Sequence, residues 1–564
     1  MRRTDFFLNN NYSKWKKSEM NNNFYWYRGE IFHCNEMIDG EKNLHLVLSK
    51  LDEVSDDFNS CKEILNSLIG SYALIMETSA IVICVVDRLR SIPLFYSSFE
   101  NQLIITDNAN YLRNRINASL NEEHGAEFLV TGYVTGPDTL FEGINQLQAG
   151  EFLLFNKITG DCAIHRYFHY LHGDYSTDSE EQLLALLDKV MLSVFSRLIE
   201  TTVNQGKKIV VPLSGGLDSR IIVAMLKRLG VDDVICYSYG KKGNIEAEIS
   251  RKVAESLGYT WHFVEYTSRR WYDCYHSDEM RAYERYAANL TSLPHIQDFL
   301  AVKILKEEGK IPYTAVFIPG HSGDMLAGSW IPNNIENLPH TAEYCINHSL
   351  QRHYSLWEWN NKNKKMELLF QERIRKSIGN ISIYDADSLA NGIEYFNFKE
   401  RQAKFIVNSV RVYEFFGFEW RIPLWDAELI DFFLKIPLNE RIHTAFYKKY
   451  AVVKLFINQL SQLLQIDCTT PLYLPPKIGK RKKLVYLLNQ FHFTLLWHSI
   501  FFRNPIFLRF TWRIKVNPIF NRLPSLLKEI TIRKKGLIKY IYIPSINGFA
   551  TLEYYKNVIL QNEK

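Results

Sequence analysis

Cysteine is scarce and scattered. The eight residues at positions 34, 61, 84, 162, 236, 274, 345 and 468 form no CxxC pair and no cluster with histidine at metal-ligand spacing. That excludes a small disulfide-stapled scaffold and a zinc ribbon or finger. With 27 Gly and 17 Pro in 564 residues, the chain is neither collagen-like nor low in complexity. An excess of one charge is also missing: 67 Lys+Arg against 62 Asp+Glu give +5, too little to imply a nucleic-acid binder. The longest uncharged run, Leu484–Phe502, has 19 residues but contains Asn489, Gln490, two His and a Ser. Its composition argues for a buried or interfacial segment rather than a membrane span. No apolar stretch of signal-peptide type follows Met1-Arg2-Arg3-Thr4-Asp5, so a reducing cytoplasm is the expected setting.

What the chain does have is apolar and aromatic bulk, 46% and 14%. That suits large cores, and the length suggests several domains. Charge is unevenly placed. Cys468–Lys528 holds eleven Lys/Arg and no acid, and the last 36 residues add six bases against three acids, which leaves −9 on residues 1–467.

Residues 1–168 read as short strands punctuated by turn residues: Tyr72–Met76, Ala80–Val86, Leu103–Thr106 and Glu151–Phe155. Gly132–Gly150 reads as loop. A polar stretch, His172–Glu181, precedes a helical pattern at Leu183–Thr201. Then strands and helices alternate: Lys208–Leu213, Arg220–Leu229, Val234–Tyr239, Asn244–Leu257 and, further on, the strand Tyr313–Ile318. That alternation predicts a parallel α/β sheet.

Between the first of those strands and its helix stands Ser214-Gly215-Gly216-Leu217-Asp218-Ser219, preceded by Leu213. Two glycines let the backbone approach an anion, and the helix that follows directs N–H groups and its positive end at the same point. Ser214 and Ser219 add hydroxyls. Asp218 would repel a bare phosphate, which points to Mg²⁺ between carboxylate and phosphate oxygens. The segment is neither a GxxxxGKS loop nor a GxGxxG fingerprint.

SGGLDS resembles the pyrophosphate loop of N-type ATP pyrophosphatases, and the chain over residues 24–480 is similar to the asparagine synthetase family. Asp87-Arg88-Leu89 with Pro93-Leu94-Phe95-Tyr96 resembles DRLGxKPLYY. Thr139–Ile144 with Leu147 and Gly150 resembles TLFEGIxxLxPG, and Glu419–Asp426 resembles ExRxPFLD. The resemblance implies an Ntn-type α/β/β/α amidotransferase-like domain (1–170), an adenine-nucleotide α-hydrolase-like synthetase domain (171–480) and a basic aromatic extension (481–564). It also implies ATP-dependent activation of a carboxylate with release of pyrophosphate, then amide formation with displacement of AMP.

Carried over by position, Leu213 to Ser219 hold pyrophosphate. Gly320-His321-Ser322-Gly323-Asp324 aligns with the family's second glycine loop, so Asp218 and Asp324 would share Mg²⁺. Tyr239 and Gly240 mark the adenine neighbourhood. His321, where relatives carry an acid or a tyrosine, would form a proton-accepting pair with Glu419; the alternatives are a histidine hydrogen-bonded within its loop and a glutamate paired with Arg421. Lys477, in Leu474–Gly479, matches the lysine that contacts the reacting phosphate in the β-lactam branch.

The amidotransferase half departs from the family. Met1-Arg2-Arg3 stands where a nucleophilic cysteine is expected, Arg28-Gly29-Glu30 replaces Asn-Gly-Glu, and Arg90 replaces a glycine. Cys34 is internal. Glutamine hydrolysis is therefore not expected, and the nitrogen would come from ammonia or a substrate amine. The carboxylate could belong to a small molecule, a peptide (lasso-type ring closure) or a uronic acid in a surface glycan; a non-catalytic scaffold is the reading of another class. Residues 480–515 interleave bases with aromatics, a composition suited to packing on the core, to peripheral contact with an anionic membrane or, least of the three, to single-stranded nucleic acid.

Overall fold

A computed structural model describes residues 3–8, 15–33, 36–38, 41–55, 57–99, 102–356, 364–457, 533–535, 538–540, 551 and 554–555. Lys477, Cys34 and nearly all of the basic extension lie outside the described residues.

The N-terminal part holds two sheets. One has four strands, in the order Arg3–Phe7, Gln102–Thr106, Phe95–Phe99, Asn145–Gln146. The other runs Cys162–Arg166, Glu151–Asn156, Ile81–Val86, Leu68–Glu77, Asn23–His33, Lys16–Met20, with Glu36–Met37 paired to the long Asn23–His33 strand. Leu74, Ile75, Val82 and Val86 are almost wholly buried. Gly132–Gly150, expected as loop, includes the short Asn145–Gln146 strand.

The long strand explains one glycine of the Arg28-Gly29-Glu30 segment. Gly29 has φ +93°, and a Cβ there would lie 1.9 Å from the carbonyl oxygen of Ser71. Gly70, φ +130°, meets the carbonyl of Glu30 in the same way. The two neighbouring strands approach so closely only because both positions lack a side chain.

The second part begins with the helix Glu180–Glu200, capped by reciprocal bonds between Ser179 and Gln182. It is followed by a five-stranded parallel sheet ordered Thr260–Glu265, Val234–Gly240, Lys208–Pro212, Ala315–Phe317, Glu419–Trp420. Ile209, Val210 and Val211 are fully buried, as expected of a central parallel strand covered on both faces. In the helix Leu217–Arg228, every residue from Ile221 to Leu226 is buried. Beyond this sheet the chain is helical, with a π-helical stretch at Asn397–Ile406.

The two parts share an interface rich in arginine. Arg28 bonds Glu414, Glu30 pairs with Arg421, and Arg88 reaches Asp431 at 2.6 Å. Arg411 donates to the carbonyl of Ser91 and to Glu414. Gly29→Ala should cost about 3 kcal/mol through backbone strain and overlap, read as a lower denaturant midpoint; an unchanged midpoint would contradict the close approach of Gly29 to Ser71.

Candidate active site

The order of the parallel sheet creates one special position. From the central strand Lys208–Pro212 the chain moves outward through Val234–Gly240 to Thr260–Glu265, then returns to the other side with Ala315–Phe317. The loops leaving the carboxyl ends of Lys208–Pro212 and Ala315–Phe317 therefore diverge from adjacent strands, and a crevice opens at such a switch point. Both glycine loops leave from there.

They touch backbone to backbone. A Cβ on Gly320 would lie 2.7 Å from the amide nitrogen of Ser219, and one on Gly323 would fall 2.5 Å from the Tyr447 hydroxyl and 3.0 Å from Asp218 Oδ1. The amide of Asp324 donates to Asp218 Oδ2 at 3.2 Å, and the Tyr447 hydroxyl donates to Asp218 Oδ1 at 3.0 Å. Burial, and then the charge of Asp324, hold the Asp218 carboxyl well above the usual carboxylate range. Neither acid makes an ion pair among the described residues.

The first loop is organised by its own hydroxyls. Ser219 Oγ accepts from the amide of Ser214 at 3.1 Å, and Ser214 Oγ accepts from the amide of Gly216 at 3.0 Å. Gly216 is the N-cap of Leu217–Arg228 and no side chain caps it, so the N-terminal end of that helix faces the crevice free of internal competition. Gly215 packs against Glu246, and Arg220 donates to the Gly215 carbonyl.

The asparagine synthase family model matches residues 192–484, and a glutamine amidotransferase domain model matches residues 57–168. The chain belongs to the asparagine synthase family. A probable glutamine-hydrolyzing asparagine synthetase of Acanthamoeba polyphaga mimivirus is 25% identical over 195 residues, covering 34% of this chain and 33% of that protein. The chain thus matches about a third of the length of this curated relative. Among solved structures, a glutamine phosphoribosylpyrophosphate amidotransferase from B. subtilis, complexed with ADP and GMP, is 14% identical over 44% of this chain and 48% of its own, with a TM-score of 0.18. An allosteric regulatory enzyme of purine biosynthesis is 13% identical over 44% and 61%, with a TM-score of 0.19. Superpositions as loose as these bear no functional weight.

Within this asparagine synthase-type domain, Leu213, Ser214, Gly215, Gly216, Leu217, Asp218, Ser219, Gly320 and Asp324 come together around the crevice. Tyr239 and Gly240 end the neighbouring strand. The Tyr239 ring stacks on Tyr266 with centroids 5.0 Å apart, and the Gly240 carbonyl accepts from the amide of Tyr266 at 2.7 Å. An aromatic wall thus stands beside the first loop.

The pairing of His321 with Glu419 is corrected. Glu419 aligns with Val316 and hence with Ile209, near the amino ends of the parallel strands. The first glycine loop leaves the opposite end of Lys208–Pro212, three residues or about 10 Å of strand beyond Ile209, and the second leaves the same edge beyond Phe317. The Glu419 carboxylate instead pairs with Lys207 and Arg421, both at 3.0 Å, and is 45% exposed. His321 is held by Ser409, with Oγ to Nε2 at 2.6 Å. Burial, and secondarily His295, push its pKa down to about 3, so the ring is neutral and a weak base.

Three residues of the site escape motif reading. Tyr447 fixes Asp218, Gln402 accepts from the Ser322 hydroxyl at 2.6 Å, and Arg401 lies close enough to Asp324 to feel its charge. Ser322 itself sits at φ 65°, an unusual conformation for serine, secured by that contact. Because His321 is neutral in the fold and titrates near 6.5 when unfolded, protons taken up by the unfolded chain lower stability as pH falls through about 6.5 and on towards 3. His321→Gln should flatten that acid limb by up to about 1.4 kcal/mol per pH unit, measured from denaturant midpoints across the pH range; parallel limbs would contradict the buried neutral ring.

Proposed function

We propose that this protein is an ATP-dependent, amide-forming ligase. The oxygen of a substrate carboxylate forms a bond to the α-phosphorus of ATP as the bond to pyrophosphate breaks. A nitrogen nucleophile then forms the amide bond, AMP leaves, and the proton of the amine passes to solvent or to a basic group. Family membership supports a ligase in general. The observation that carries the finer reading is the contact of Asp218 with the Asp324 loop at the sheet's switch point, between two glycine loops.

The residues fit a magnesium ion. Two carboxylates share the crevice, neither in a close ion pair with lysine or arginine among the described residues and with Arg401 acting on Asp324 only at longer range, and their mutual repulsion is what a divalent cation would relieve. Asp218 and Asp324 would hold it, and when bound it supplies charge neutralisation to the pyrophosphate. The serine hydroxyls and the uncapped helix end of the first loop orient the β- and γ-phosphates. Tyr447 keeps the Asp218 carboxylate turned to the crevice. The Tyr239–Tyr266 wall excludes water from the base-binding side.

The nitrogen source is ammonia or an amine of the substrate rather than glutamine. In support, Arg28, where relatives have the asparagine of an oxyanion hole, has its guanidinium bonded to Glu414, and so it cannot serve as a preorganised donor to an acyl oxyanion. The acid partner is a small-molecule, peptide or glycan carboxylate.

With magnesium, ATP and a cognate acid, the purified chain should release pyrophosphate and AMP, and Asp218→Ala or Gly320→Ala should lower the rate at least 100-fold while the circular dichroism spectrum is retained. Release of ADP and phosphate would refute the adenylation route. Ammonium ions should support product formation where glutamine does not; glutamate released from glutamine by the isolated chain would overturn the assignment of the nitrogen source.

A further inference from the structure

A cavity of about 500 Å³ lies between the two parts of the molecule, lined by Arg28, Arg90, Arg113, Arg285, Arg411 and Asp107, with asparagine side chains between them. Its volume is in the range that small ligands occupy. It is not the crevice of the glycine loops: none of the residues of those loops lines it.

The charge of its wall is one-sided. Glu414 and Asp107 engage Arg28, and Glu414 also engages Arg411. Arg90 and Arg285 make no ion pair among the described residues. Arg285 is exposed at the rim. Arg90 is only 4% exposed, donates Nε–H to the Leu147 carbonyl at 2.9 Å, and leaves its second terminal nitrogen without any hydrogen-bond partner. Its other terminal nitrogen donates to the Ala403 carbonyl at 3.5 Å, and a buried guanidinium nitrogen with no acceptor is costly.

The backbone at Arg90 adds to this cost. It has φ 58°, a conformation that glycine adopts freely and an arginine does not. Arginine is nevertheless held there, packed over the Phe95 ring at 5.6 Å, with burial and the nearby Arg411 pushing its pKa down to about 9. Glu400, Asp87 and Glu151 act on Arg90 at longer range but none forms an ion pair with it, so an anion entering the cavity would offset its remaining cost. The fork of a guanidinium suits the paired oxygens of carboxylate and phosphate, and several forks converging on one space select for more than one negative charge.

We propose that this cavity is a binding site for a small oxyanion carrying two or more negative charges on phosphate or carboxylate groups, with Arg90 at its base and Arg285 at its mouth. The site is separate from the nucleotide crevice and does not depend on the reading of that crevice as catalytic.

The test is calorimetric titration of the full chain with inorganic phosphate and, separately, with citrate, at constant ionic strength. One or both should bind saturably, the arm that binds naming the chemistry of the ligand, and Arg90→Gln and Arg285→Gln should each weaken that binding at least tenfold. Arg285→Gln lies on the surface and should melt like the parent, which separates lost binding from lost fold. Asp218→Ala should leave the binding intact. The proposal fails if neither probe binds below about 10 mM, or if binding survives both arginine substitutions and disappears with Asp218→Ala, which would put the anion at the glycine loop.

Discussion

Two peptide segments that lie about a hundred residues apart are pressed together without side chains between them, and the rest of the site is arranged around that contact. Gly320 against Ser219 and Gly323 against Asp218 permit an approach that any larger residue would block. The contact arises from the sheet: adjacent parallel strands, Lys208–Pro212 and Ala315–Phe317, deliver both loops to one edge. Two acids are thereby made neighbours in a partly desolvated place, and burial together with the charge of Asp324 raises the pKa of Asp218.

The interface between the two parts shows a different economy. Arg28 and Arg90 stand where relatives have an asparagine and a glycine, and both have been drawn into the contact with the synthetase part. Arg28 ties the long N-terminal strand to Glu414, while Arg411 returns the connection through the Ser91 carbonyl. Such partly desolvated ion pairs contribute little net stability, but removing one partner leaves an uncompensated charge, so they enforce a single docking of the two parts.

Much of this was legible in the residues, and the reasons differ. The alternation of strands and helices from Lys208 to Ser256 was readable because central parallel strands are continuous apolar runs and the helix Ile245–Ser256 carries an ordinary asparagine cap. The turn at Ser214–Ser219 was readable because two glycines between a buried apolar run and a helical pattern mark a tight strand-to-helix connection. The glutamate of the Glu419–Asp426 motif was misjudged because a short motif does not say which end of a strand it occupies; register alone puts Glu419 beside Lys207. Tyr447, Gln402 and Arg401 reach the site from distant helices, and no local pattern distinguishes them from core residues. The strand Asn23–His33 alternates less clearly because both its faces are half-covered.

One short turn serves both chambers. Within Val407–Arg411, Asn408 and Arg411 line the arginine-rich cavity while Ser409 holds His321 in the second glycine loop. Because these three side chains hang from a single turn of backbone, a shift of that turn at the cavity also moves Ser409, and with it the partner of the His321 ring.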